Sequence, residues 1–139
     1  MKVLVLIIGC LFTGLIATAQ ENSGVNINIS IDNVSSNEGK VILSLHSIDT
    51  FMKAPGIQTL ESTIENGKVS FTFKNVPAGT YAIMALHDVN ENGAMDFEDS
   101  GMPKESYGMS GNDMSFGPPT FSGAKFEVTD TELDFDIRF

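Results

Sequence analysis

The segment Asp88-Val89-Asn90-Glu91-Asn92-Gly93-Ala94-Met95-Asp96-Phe97-Glu98-Asp99 sets oxygen-bearing side chains at the spacing of a calcium loop. Asp88, Asn90 and Asn92 fall on positions one, three and five, Gly93 on the sharp-turn position six, the Ala94 carbonyl on seven, Asp96 on nine and Asp99 on twelve. A hard cation of this size takes oxygen ligands in a flexible shell of high coordination number, and alternate residues of a tight loop converge on one centre. Glycine at position six permits the backbone conformation that lets them converge. The last position departs from the pattern, because the shorter Asp99 stands where a bidentate Glu is usual, with Glu98 beside it as a substitute. Calcium is expected rather than magnesium, which demands near-octahedral geometry and keeps several waters. The structural alternative is a polar loop of Asx turns closed by Gly93.

Other chemistry-bearing residues are few. His46 alternates with Ile42 and Ser44, which predicts a solvent-facing side chain; His87 ends a strand just before the loop. There it is expected to pack and donate a structural hydrogen bond, with orientation of Asp88 as the second role. Gly108-Met109-Ser110-Gly111 lacks the residue pattern and strand-to-helix setting of a nucleophile elbow, so serine hydrolysis is not expected. Many Asp and Glu are present, and they are read as polar strand faces and loop ligands. An envelope enzyme with a carboxylate or His–carboxylate site near the long loop stays as an alternative, since carboxylate separation in space is not written in a sequence. Met95, Met102, Met109 and Met114 lie near His87 and raise a Met-rich copper site as a further alternative, thioethers being soft ligands; against it stands the use of Met as core filler. Tyr107, Phe116 and Phe121 are read as anchors of the loop rather than a sugar- or peptide-binding platform. Gly117-Pro118-Pro119 stiffens the loop's exit and is a candidate for a cis bond.

These residues must be carried by strands. Val25, Ile27, Ile29 and Ile31 alternate with Asn26, Asn28, Ser30 and Asp32, and the same period runs through Val41–Leu45, Val69–Phe73, Ala124–Val128 and Leu133–Phe139. Thr80–Leu86 is apolar at nearly every position, as for a central strand covered on both faces, and Ile57–Glu65 supplies a weaker seventh strand. Asn37-Glu38-Gly39, Asn66-Gly67, Pro77-Ala78-Gly79 and Thr129-Asp130 punctuate these runs, and Asn66-Gly67 suits a type I′ turn. The expectation is all-β: a single antiparallel sandwich of about seven strands with one long ordered loop, Val89–Thr120.

Lys2, the apolar stretch Val3–Ile16 and Ala17-Thr18-Ala19 read as a secretory signal peptide, residues 1–19, cleaved before Gln20 and leaving no membrane span. A lipoprotein box ending at Cys10 competes with this, but it leaves too short an apolar region and strands apolar residues after the lipidated cysteine. Cys10 is the only cysteine, so the domain over 20–139 is expected to lack disulfides and thiol chemistry, which fits a secreted or periplasmic bacterial protein. The formal charge of −10 argues against nucleic acid as a partner and is compatible with cation binding.

Asn75-Val76-Pro77-Ala78-Gly79-Thr80-Tyr81, then His87-Asp88 with Asn90, Asn92-Gly93 and Asp96, then Gly101-Met102-Pro103-Lys104-Glu105-Ser106-Tyr107-Gly108 and Phe116-Gly117-Pro118-Pro119-Thr120-Phe121, form an ordered set. Together they resemble the secreted bacterial family labelled domain of unknown function 2141, over essentially all of the chain after the signal. Met102 and Met109 depart from it, standing where a branched aliphatic and an aromatic residue are expected. Val-Pro-Ala-Gly-Thr-Tyr also resembles a turn of transthyretin-like and carboxypeptidase-regulatory-like sandwiches, which implies an Ig-like or transthyretin-like fold. The family carries no assigned activity. The resulting expectation is an exported accessory or binding module, more a binder than an enzyme, whose partner is an envelope or extracellular protein or a glycan.

Overall fold

Alternation of apolar and polar residues becomes alternation of burial in the computed structural model, which describes residues 23–113 and 117–139. Strand β1 (Val25–Ile31) buries Val25, Ile27, Ile29 and Ile31 and leaves the residues between them half-buried. Strands β2 (Lys40–His46) and β4 (Val69–Val76) do the same with Val41, Leu43 and Leu45 and with Val69, Phe71 and Phe73. The remaining elements are β3 (Gln58–Ser62), β5 (Gly79–Asp88), β6 (Tyr107–Met109), the short helix α1 (Phe121–Ala124), β7 (Phe126–Val128) and β8 (Leu133–Asp136). The protein is therefore all-β, with eight strands among the described residues.

Two sheets share these strands. One has the order β4-β1-β8; the other runs β3-β2-β5-β6, with β7 also paired to β5. Inward residues of both sheets, among them Ile27, Ile29, Leu43, Phe73 and Ile83, make one buried cluster that Ile137, just past β8, joins. A second, smaller cluster of Phe51, Ala82, Met109 and Ala124, with Met84, Tyr107 and Phe121 against it, covers the other face of β5. That double covering explains why β5 reads as apolar at nearly every position.

Several local expectations are revised. Pairing is not wholly antiparallel: β8 runs parallel to β1, with Ile27 opposite Leu133 and Ile29 opposite Phe135. The direction is set by the crossing from β7 on one sheet to β8 on the other, which local alternation does not encode. The Asn66-Gly67 turn forms as expected, with φ of 52° and 72°, and Glu65 and Lys68 exchange backbone hydrogen bonds. It nonetheless joins β3 of one sheet to β4 of the other, so it is a corner between sheets. Ala124 belongs to α1 rather than a strand, because Thr120 Oγ1 caps that turn by accepting from Gly123 N. His46 is buried, not solvent-facing: the excursion 47–57 folds back so that Thr50 Oγ1 lies 3.2 Å from its Nδ1 and Phe51 meets its ring edge-on at 5.9 Å. No cis peptide occurs among the described residues, so Pro118 and Pro119 follow trans bonds. Among the described residues no helix is long and apolar enough to cross a membrane. The signal peptide, the alternative at Cys10, Met114 and Phe116 fall outside the described residues.

Candidate metal centre in the 88–105 lobe

Strand β5 carries Asp88 to its last position, fully buried, and holds it opposite Lys40 of β2. The turn before β2 closes on this point. Gly39 has φ of +70°, and a Cβ there would stand 2.2 Å from the Asp88 carbonyl oxygen and 2.6 Å from Val89 Cα. Only glycine meets both demands.

Beyond Asp88 the chain winds around its carboxylate. Asp88 Oδ1 accepts from Asn92 N at 3.2 Å and Oδ2 from Gly93 N at 2.8 Å. Asn90 Oδ1 also accepts from Asn92 N, and Asn92 Oδ1 accepts from Ala94 N at 3.0 Å. Each of these polar side chains thus pins the backbone a few residues ahead of it, as Asx residues do in tight turns. Gly93 has φ of +81° and open space where a Cβ would point, so the backbone conformation alone calls for glycine there. Asp96 closes the turn: its Oδ2 accepts from Asn90 Nδ2 at 2.6 Å, and Asn92 Nδ2 donates to both of its oxygens at 3.0 and 3.1 Å. Asp88, Asn90, Asn92 and Asp96 are therefore brought together as their spacing implied. Ala94 lies exposed on the same turn.

Asp99 sits elsewhere. It is exposed at the tip of a small finger in which Phe97 bridges Pro103, Glu98 N donates to the Met102 carbonyl and Gly101 N to the Glu98 carbonyl. The carboxylate at the base of the lobe is instead that of Glu105, nearly buried, whose Oε1 accepts from Val89 N at 3.0 Å and Oε2 from Asp96 N at 3.2 Å. One side chain thus ties the start of the loop to its ninth position. Glu105 lies outside the twelve-residue window, so the ligand spacing does not point to it. Its signal in the sequence is its place in the Gly101–Gly108 piece that carries the family resemblance, inside the expected loop.

The surroundings are acidic, with Lys40 at the edge. Lys40 Nζ donates to Glu61 at 2.8 Å; that bond, with the fields of Glu61, Asp88 and Glu91, raises the ammonium above its ordinary pKa despite partial desolvation. His87 is buried behind the lobe, 2.8 Å through Nε2 from the Glu38 carbonyl and stacked on Phe139. A carbonyl can only accept, so Nε2 carries the proton and the ring plays the packing role. The Ser110 hydroxyl is taken up structurally, accepting from Ile83 N and donating to the Ala124 carbonyl. Met109 is buried in the smaller cluster while Met102 is 64% exposed, so these two methionines occupy different surroundings. Tyr107 and Phe121 pack onto the same smaller cluster, as loop anchors should.

Among the described residues, no three His, Cys, Asp or Glu side chains are grouped as a metal cluster by themselves. Any cation shell here must draw on amide and backbone oxygens as well as carboxylates. The donor set that meets in the lobe is composed wholly of oxygen, which is the chemistry hard cations take.

The chain belongs to the family described as "Uncharacterized protein conserved in bacteria (DUF2141)", whose pattern matches residues 29–136, from within β1 to the end of β8, and so includes the whole lobe. No curated protein and no solved structure matches the chain.

Proposed function

We propose that this DUF2141 member is an exported bacterial accessory or binding module, a sandwich of the Ig-like or transthyretin-like kind, whose 88–105 lobe is ordered by calcium. The observation that carries this reading is the meeting of Asp88, Asn90, Asn92 and Asp96 around a single turn. Asp88, Asn90, Asn92, the Ala94 carbonyl and Asp96 would hold the ion, with Glu105, which lies against Val89 N and Asp96 N, supplying a further carboxylate.

Two features support it. The Asn90 and Asn92 amides answer the negative charge of Asp96 with neutral N–H groups, where a divalent cation would answer it more strongly. Each amide oxygen has a second lone pair beyond the one its backbone donor takes, so it can serve as a ligand without giving up the turn. Calcium, when bound, would supply the positive charge that a loop bearing Asp88, Glu91, Asp96, Glu98 and Asp99 lacks. Export is supported by the signal-like residues 1–19, with the periplasm or the medium as the address and an envelope or extracellular protein or a glycan as the partner.

Calorimetric titration of metal-free protein with calcium, and separately with magnesium and copper, tests the reading. Calcium modules that work outside cells bind at about 10⁻⁴ to 10⁻³ M, so the titration must reach several millimolar. The expected outcome is calcium-selective heat and a raised thermal midpoint, the stabilisation reaching about 2.7 kcal/mol at a hundredfold excess over the dissociation constant. Asp96→Asn should weaken binding at least tenfold. Absence of both heat and midpoint shift at millimolar calcium would reject the metal and leave the lobe as a set of Asx turns.

A further inference from the structure

We draw no further inference here: the strongest candidate, the groove of about 470 Å³ between β6, the Gly117–Thr120 turn and Arg138–Phe139, borders residues 114–116, which lie outside the described residues, and nothing in the structure shows what covers it.

Discussion

Glu105 joins the start of the loop to Asp96 through both oxygens of one carboxylate. Its carboxylate serves two backbone donors that would otherwise be left without acceptors near the base of the loop. Glu105→Gln replaces one acceptor oxygen by an NH₂ that faces an N–H, so it should cost about 1–3 kcal/mol, whereas Asp99→Asn at the exposed tip should be nearly neutral. Urea unfolding of the two metal-free variants beside the parent measures both; equal losses would show that the lobe is not pinned through Glu105. His46 makes a second prediction. Burial lowers its pKa below the ordinary 6.5 against a smaller opposing effect from its bond to Thr50. The folded state thus binds its proton less readily than the unfolded chain, so this group's contribution is fully present above about pH 6.5 and is lost as pH falls toward the depressed value. Thermal midpoints of the parent should fall between pH 7.5 and 5.5 by more than those of His46→Gln, which cannot titrate; parallel pH profiles would remove His46 as the cause. Neither role was legible in the sequence. Alternation placed His46 outside because it describes a strand's two faces and says nothing about a later excursion that covers one of them, and no loop register reaches from Asp88 to Glu105.

Elements were more readable than their partners. The period of two located β1, β2 and β4 because each has one face on the shared core, and the apolar run of β5 located the strand covered on both sides. Direction and neighbour were not readable: β8 beside β1, or β6 and β7 dividing one edge of β5, follow from how the chain crosses between sheets. The short β6 carries too few residues to show a period at all. The turn into β2 shows how an element positions a site from a distance, since Gly39 lets the 37–39 turn lie against the exit of β5. Gly39→Ala meets a left-handed φ and a backbone clash together, so the turn or the strand end must move. The expected result is a loss of stability larger than the roughly 1 kcal/mol that an ordinary Gly/Ala exchange brings, together with faster amide hydrogen exchange at Asn92 and Gly93. If that exchange is unchanged, the turn does not hold the lobe's entrance.

At the scale of the whole molecule, the core is closed by residues far apart in the chain. Ile137 lies one residue past β8, donates its N–H to the Ser30 carbonyl at 3.0 Å and is fully buried among side chains of both sheets. Ile137→Ala should therefore cost about 2–5 kcal/mol, read as a lowered urea midpoint with an unchanged slope; a loss under 1 kcal/mol would mean that this end of the chain is not part of the core. The parallel pairing of β8 with β1 also bears on time. The first strand has one neighbour, β4, that arrives midway along the chain, and another that arrives only after residue 133. Closing a loop that spans nearly the whole domain is entropically slow. The first strand must wait for β8, so any folding intermediate in which residues 133–136 have not yet docked keeps one edge of β1 bare, and the three-stranded sheet closes only when that distant segment arrives.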